Sequence, residues 1–189
     1  MKARLMAYSL LCAGLLGLSS CGETDPGSSV ALFKTVKVTA QASPNPYRVP
    51  VASGNVCTNG VISGSLVTLD ADATVEIASE PYPAITTAQN VSLGACTVTY
   101  SKVLASSPTI ADTVPCFVGQ ILAPGDAVTA SIPLTTPTIK AKIAADAGIN
   151  SCTPTQHTYY ATITISGTEE GGTNSNITAV VPVVFSNLP

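Results

Sequence analysis

The sequence predicts an all-β fold, an antiparallel β-sandwich of about eight or nine strands with few or no helices. Charged residues make up only 10% of the 189 residues, which disfavours amphipathic helices with charged outer faces. Several segments alternate apolar and polar residues with the period of two that is typical of half-buried strands. Because turn-forming residues separate these segments at short intervals, two sheets packed face to face would bury the apolar side of each strand.

The first predicted strands occupy residues 33–42, 61–69 and 74–78. Val36 and Val38 alternate with polar residues, and Pro44 and Pro46 end the first strand. The acidic segment 70–73 favours a turn, since aspartate side chains hydrogen-bond the neighbouring backbone. We therefore expect the second and third strands to pair as a hairpin.

The middle of the chain continues this pattern. Residues 91–104 predict a strand and residues 106–115 a loop, and two further strands at 116–122 and 127–134 flank the turn signal of residues 124–126. Residues 138–146 fit either a strand or a short helix, because their apolar residues satisfy both periods.

The last two predicted strands are long and cover residues 159–167 and 177–185. Pro182 has no backbone N–H to donate to a neighbouring strand, so its strand should lie at a sheet edge or carry a bulge. This closing hairpin resembles the last hairpin of immunoglobulin-like and fibronectin-like modules, and residues 73–142 resemble segments of small uncharacterised bacterial lipoproteins. The resemblance implies an immunoglobulin-like sandwich, although the tryptophan of antibody-type domains is missing.

The amino terminus has the pattern of an export signal. Lys2 and Arg4 precede an apolar segment at residues 5–18, and Leu18-Ser19-Ser20-Cys21 places small residues before a cysteine. This motif resembles the lipobox of bacterial lipoproteins. The resemblance implies cleavage before Cys21, a diacylglycerol on its thiol, and acylation of the new amino group by a fatty acid such as palmitate.

Two other interpretations of this segment remain open. An uncleaved membrane helix would need about 20 apolar residues, more than the segment offers. An ordinary signal peptide cut nearby would leave Cys21 as a structural thiol. With lipidation favoured, we predict a cleaved signal peptide at residues 1–20, the lipidated cysteine and a flexible tether at residues 21–32, and one sandwich domain at residues 33–189.

The predicted location is the bacterial cell envelope, with the lipid holding the protein to a membrane. In the lipoproteins that the motif resembles, an aspartate after the cysteine often marks retention at the inner membrane. Gly22 stands at that position, so an outer-membrane location is favoured and the face of the membrane is left open. The eight basic residues include Lys2 and Arg4, so the mature chain has six basic and eleven acidic residues, a net charge of −5. This charge argues against nucleic acid as a partner.

The cysteines support an exported protein. Cys12 is lost with the signal and Cys21 is lipidated, which leaves four candidates for disulfide bonds. These are Cys57, Cys96, Cys116 and Cys152. Sequence allows three connectivities, and chain order favours Cys57 with Cys96 and Cys116 with Cys152. The absence of close cysteine pairs argues against a metal or haem site.

His157 is the chain's single histidine and the first catalytic candidate. A serine or cysteine nucleophile would need a base held by a carboxylate, and the sequence has no G-x-S-x-G elbow. We therefore expect His157 to make local hydrogen bonds in a loop or at a strand edge.

A cluster of carboxylates is the second candidate site, formed by Asp70, Asp72, Glu76 and Glu80. The cluster lacks the spacing of a calcium loop, so a solvated turn is the favoured interpretation. Carboxylates from distant strands that meet in a cleft would suit glycoside hydrolysis. Glu169 and Glu170 in the last predicted loop are expected to supply soluble charge alone.

Exposed tyrosines are the third candidate site, since a tyrosine ring stacks on sugars or partner proteins. The candidates are Tyr47, Tyr82, Tyr100, Tyr159 and Tyr160, with core packing as the other interpretation.

The sequence assigns no catalytic, cofactor-binding or metal-binding residue. It predicts a membrane-anchored lipoprotein that acts as a non-enzymatic binding or structural module, with a protein or glycan as a possible partner and its oligomeric state open. The alternative is an exported hydrolase that uses carboxylates brought together across strands.

Overall fold

A computed structural model describes residues 28–59, 61–67, 70–146 and 155–187. These residues form eleven strands and one helix. The first five strands are β1 (Ser28–Leu32), β2 (Val36–Ser43), β3 (Tyr47–Pro50), β4 (Ala52–Thr58) and β5 (Val61–Leu66). The other elements are β6 (Asp72–Pro81), β7 (Val91–Lys102), β8 (Val114–Leu122), β9 (Ala127–Pro133), α1 (Pro137–Asp146), β10 (Gln156–Glu169) and β11 (Asn174–Ser186).

Nine of these strands form two sheets. The four-stranded sheet has the order β1-β2-β6-β9, and the five-stranded sheet has the order β3-β11-β10-β7-β8. Neighbouring strands are antiparallel except β3 and β11, which run parallel. The strands β4 and β5 form a separate two-stranded hairpin. The predicted all-β sandwich is therefore confirmed for the described residues.

The core lies between the two sheets and follows the alternation of each strand. On β6, Ala73, Val75 and Ile77 are fully buried, and the residues between them are exposed. On β10, Ile163 and Ile165 are buried in the same way. Burial of one valine or isoleucine side chain contributes roughly 1.5–3 kcal/mol, so the inward positions determine how the sheets pack.

The hairpin predicted for residues 61–69 and 74–78 is wrong. The strand β5 turns back onto β4, while β6 lies between β2 and β9. Both strands have suitable alternation, but alternation does not specify the partner of a strand. Asp72 and Ala73, which were predicted in the turn, are the first residues of β6.

The fold begins before residue 33, because Ser28–Leu32 forms β1 against β2. Ala31 is buried, and the backbone N–H of Thr178 donates to Ser29 Oγ over 3.1 Å. Ser29, which we expected in the flexible tether, is therefore hydrogen-bonded to β11. The predicted tether overlaps β1 at residues 28–32, and its residues 21–27 lie outside the described residues.

The ambiguous segment 138–146 is the helix α1. Thr136 Oγ1 accepts from the Ile139 N–H over 3.3 Å and caps the helix, and Pro137 suits its first position. Ile139 and Ile143 are four residues apart, and both are buried. A strand would place Ala141 on the same side as these two residues, whereas a helix turns it away, and Ala141 is exposed.

The predicted closing hairpin is confirmed as β10 and β11, paired from Gln156 with Ser186 to Thr168 with Asn174. Pro182 lies just before the segment of β11 that pairs with β3, which starts at Val183. At Pro182, β11 is paired with β10 but not yet with β3. The N–H that proline lacks therefore removes no hydrogen bond to β3.

Candidate functional site

The predicted lipidation residue, Cys21, and the predicted signal peptide lie outside the described residues. Lipidation at Cys21 therefore stays a prediction from the sequence. Within the described part of the chain, no helix has the length and apolarity needed to cross a bilayer.

Cys96 and Cys116 form a disulfide bond, with Cα atoms 4.8 Å apart. They are directly opposite each other on β7 and β8, and both face the core side of the sheet. The predicted pairing of Cys57 with Cys96 and of Cys116 with Cys152 is therefore wrong. Chain order favoured that pairing, but strand register decides which side chains meet. The side chain of Cys57 and the whole of Cys152 lie outside the described residues.

His157 packs a loop against the end of β10. Its Nδ1 lies 3.2 Å from Oγ of the buried Ser107, and the neighbouring Tyr159 hydroxyl donates to the Pro108 carbonyl over 2.8 Å. His157 Nε2 is buried and has no hydrogen-bond partner among the described residues. A serine–histidine catalytic pair also needs a carboxylate that orients the imidazole, and the described contacts of His157 include none.

The predicted carboxylate cluster is spread along a strand. Asp72, Glu76 and Glu80 occupy outward positions of β6, four residues or roughly 13 Å apart. Asp72 accepts from the Ser131 hydroxyl over 3.1 Å, and Glu80 forms an ion pair with Lys37 at 2.7 Å. Asp70 precedes the strand and is exposed. Among the described residues, no three histidine, cysteine or acidic side chains converge on a common point as metal ligands.

Glu169 is fully buried, so its predicted role as soluble charge is wrong. Its carboxylate accepts from the backbone N–H groups of Lys34, over 3.1 Å, and Thr35, over 2.8 Å, and from the Thr35 hydroxyl. Glu169 continues the inward series of odd-numbered residues on β10, which is the sequence signal for its burial. Glu170 is exposed and accepts from Asn90 Nδ2 over 2.7 Å.

Lys140 is a buried charge that the sequence interpretation missed. It is 2% exposed and follows the buried Ile139 on α1. Burial lowers the pKa of its ammonium group, and the negative charge of Asp70 acts in the opposite direction. A helical period would have been needed to recognise this inward position, because Lys140 and Lys142 alternate equally well as the outer face of a strand.

The candidate tyrosines do not form one exposed patch. Tyr100 and Tyr159 face the core, where their rings and that of Phe185 pack with centroids 5.6–6.3 Å apart. Burial raises the pKa of Tyr159 to about 12 and also raises the pKa of Tyr100. Tyr47 and Tyr82 are half-buried. Tyr160 is the most exposed of the five, at 40%.

The outer face of the four-stranded sheet is charged. Its outward positions on β2 and β6 include Lys37, Asp72, Glu76 and Glu80. We call this surface the charged face. Its residues alternate with buried ones in the ordinary way, and its carboxylates are solvated or paired with single partners.

The outer face of the five-stranded sheet has a different chemistry. On the central strands β7 and β10, the outward residues form three cross-strand pairs: Thr97 with Thr164, Thr99 with Thr162, and Ser101 with Tyr160. We call these six residues the hydroxyl grid. None of their side chains makes a hydrogen bond or an ion pair within the described part of the chain. The grid therefore presents six unpaired hydroxyl groups in two parallel rows.

The outward residues around the hydroxyl grid are mostly uncharged, and the exposed Lys102 after Ser101 directs its ammonium group to the carbonyls of Ala105 and Ser107. Val180 and Pro182 of β11 flank it on one side, opposite Thr162 and Tyr160. On β8, Phe117 and Ile121 are 73% and 67% exposed. Among the described outward positions of this sheet, Arg48 on the edge strand β3 carries the one charge. The surface thus combines hydrogen-bonding groups with apolar and aromatic ones.

Strand pairing and side-chain shape both restrict the positions of the groups in the hydroxyl grid. Along the grid, β10 pairs with both β11 and β7, whereas β7 pairs with β8 only as far as Val98, so Thr99 and Ser101 have β10 as their one neighbouring strand. Threonine is β-branched and prefers few side-chain rotamers, so its hydroxyl positions are restricted before any partner binds. The register shift near Gly94 comes after the last pair of the grid and leaves its rows intact.

Comparisons of the chain with protein families, with curated proteins and with solved structures find no match.

Proposed function

We propose that this chain is a lipid-anchored, non-enzymatic binding module of the bacterial cell envelope, and that the outer face of the five-stranded sheet is its binding surface. The observation that carries the proposal is the hydroxyl grid, whose six polar groups lie in two rows on adjacent paired strands and have no partner in the described chain. A binding surface needs polar groups that the fold positions and that are free to exchange their water for a ligand.

The anchor in this proposal comes from the sequence around Cys21. A lipid there would tether the domain through the residues that precede β1, and two or more acyl chains give stable membrane attachment. The location follows from Gly22, which favours the outer membrane. Intact-mass measurement of the mature amino terminus tests the anchor: a diacylglycerol on Cys21 supports it, whereas an unmodified thiol contradicts it.

The surface is tested separately from the anchor. A photo-reactive residue in place of Thr164 should cross-link a partner in intact cells, because Thr164 lies within the hydroxyl grid. The same residue in place of Thr39, which is half-buried on the charged face, is the matched control. Equal cross-linking from both positions would contradict a specific role of the five-stranded sheet.

The rival function is an exported hydrolase that uses two carboxylates. Glycoside hydrolysis requires two carboxyl groups about 5–10 Å apart on either side of the scissile bond. In the described residues, the carboxylates of β6 face outward at wider intervals, and Glu169 is occupied by three donors. These contacts favour the binding module.

A further inference from the structure

We infer that the hydroxyl grid binds a neutral glycan chain. This inference rests on the proposed function, since it names the partner of the surface proposed there. It follows from four properties of the grid: its unpaired hydroxyl groups, its lack of charge, its single exposed aromatic ring and its narrow shape.

The unpaired hydroxyl groups require a partner rich in donors and acceptors. Covering a polar group without replacing its hydrogen bonds to water costs roughly 1–3 kcal/mol. An apolar partner would incur that cost at each of the six positions. A sugar offers several hydroxyl groups on each ring, and each of these both donates and accepts, so it satisfies threonine hydroxyls in whichever direction they point.

The lack of charge favours a neutral partner. The six grid residues carry no charge, and Arg48 lies on the far side of β11 from them. The exposed Lys102 follows Ser101 on β7, and its ammonium group donates to the loop carbonyls of Ala105 and Ser107. The whole chain has a net charge of −3, so its long-range field repels polyanions. A charged partner on the grid would lose hydration and meet no opposite charge among the six grid residues, which disfavours anionic polysaccharides and charged protein surfaces.

Tyr160 adds a stacking surface at one end of the rows. It is paired across the strands with Ser101 and lies two residues from Thr162 on the same face of β10. A tyrosine ring combines a large apolar face with a polar tip, which matches the C–H face and the hydroxyl rim of a sugar ring. A sugar on Tyr160 would leave the next sugars of a chain above the threonine pairs.

The size of the hydroxyl grid favours a narrow ligand over a protein. Its three pairs span roughly 14 Å along the strands, and its two strands are about 5 Å apart. A standard protein–protein interface buries about 800 Å² on each partner, far more than this strip. The rigid threonine rotamers also reduce the entropy that a small ligand must overcome when it binds.

The test measures binding of the purified full-length protein to neutral polysaccharides. The probes are insoluble cellulose and chitin, their soluble oligosaccharides, and heparin as a polyanion. We expect saturable binding to at least one neutral probe and none to heparin. Thr99→Val with Thr162→Val removes two hydroxyls without changing side-chain shape, and we expect the Kd to rise at least about tenfold. Tyr160→Ala should weaken binding similarly, and Tyr160→Phe by less because the ring remains.

The matched control is Thr39→Val, which makes the same change at a half-buried threonine of the charged face and should leave the Kd unchanged. Wild-type protein that binds no neutral probe would overturn the inference, as would valine variants that bind as tightly as wild type. A dimer through this face, seen by analytical ultracentrifugation and lost in the valine variants, would also overturn it. Cross-linking of a protein partner through Thr164 without glycan binding would leave the proposed function standing and remove the glycan.

Discussion

The outer faces of the two sheets differ in chemistry although they are built on the same strand geometry. On the charged face, outward positions of β2 and β6 hold one lysine and three carboxylates. On the five-stranded sheet, the equivalent positions of β7 and β10 hold the hydroxyl grid. Both sets of outward residues alternate with buried apolar residues, so the packing of the core does not determine which residues occupy the outward positions. The difference between the two faces therefore does not arise from the packing of the core.

The two faces also differ in how their polar groups are satisfied. Glu80 on the charged face has an ion-pair partner, and Asp72 accepts a hydrogen bond from the next strand. The side chains of the hydroxyl grid have no such contacts in the described chain. Glu76 and Thr39 of the charged face have no such partner there either, so the contrast between the faces lies in the paired charges of one and the row of hydroxyl groups of the other.

The two largest effects are expected to be of similar size, and the first comes from breaking a buried contact between the two sheets. Glu169 on β10 holds the backbone of Lys34 and Thr35, in the turn between β1 and β2. Glu169→Ala leaves the buried N–H and hydroxyl of Thr35 and the part-buried N–H of Lys34 without an acceptor, so we expect a loss of about 3 kcal/mol in the free energy of unfolding, measured in urea. Glu170→Ala, next along the chain and exposed, should have little effect. Similar losses for both variants would show that burial of Glu169 does not matter for stability.

The second prediction, with an expected effect of similar size, concerns the edge of the five-stranded sheet. The Cys96–Cys116 disulfide closes a loop with a sequence separation of 20 residues. Its removal by Cys96→Ala with Cys116→Ala should cost roughly 3 kcal/mol, mainly because the unfolded chain gains freedom. Since both cysteines face the core and the hydroxyl grid faces outward, folded variant protein should keep its glycan affinity. Peptide mapping without reduction checks the bond itself, and a Cys116–Cys152 peptide would contradict it.

The sequence predicted the strands better than their partners. The alternation in β7, β10 and β11 is regular enough to identify each strand, because one face of each is buried. The pairing of β6 with β2 and β9 depends on contacts far apart in the chain, so the local turn signal before β6 was misleading. Strand order is a property of the whole core, and no single segment contains it.

The candidate site was hidden for the same reason. The triplets Thr97-Val98-Thr99 and Thr162-Ile163-Thr164 are visible in the sequence as outward threonines. Their meeting as a grid depends on the antiparallel register of β7 and β10. In contrast, the burial of Glu169 was predictable, since it continues the inward alternation of β10 past Gly167. Because Glu169 is acidic and stands next to Glu170, we expected it to be exposed.

The third prediction concerns the loss of stability at alkaline pH, which we attribute to the two inward tyrosines. Burial raises the pKa of Tyr159 to about 12, compared with about 10 in an unfolded chain. The folded protein therefore holds this proton more tightly, so stability falls as the pH rises from about 10 to about 12. Burial of Tyr100 acts in the same direction. Tyr159→Phe should make the alkaline loss shallower in urea unfolding at several pH values, and an unchanged slope would contradict this origin. Tyr160→Phe, which leaves both inward rings in place, should retain the loss.

The smallest effect is expected on the charged face. Lys37 Nζ lies 2.7 Å from Glu80 Oε2, and their side chains are 39% and 66% exposed. Solvent and salt screen such a pair, so Glu80→Gln should change the free energy of unfolding by less than about 0.5 kcal/mol. The same variant should bind the neutral glycan with the wild-type Kd, since β6 belongs to the other sheet. A higher Kd would mean that the ligand also contacts the charged face. The five-stranded sheet would then not be the whole binding surface.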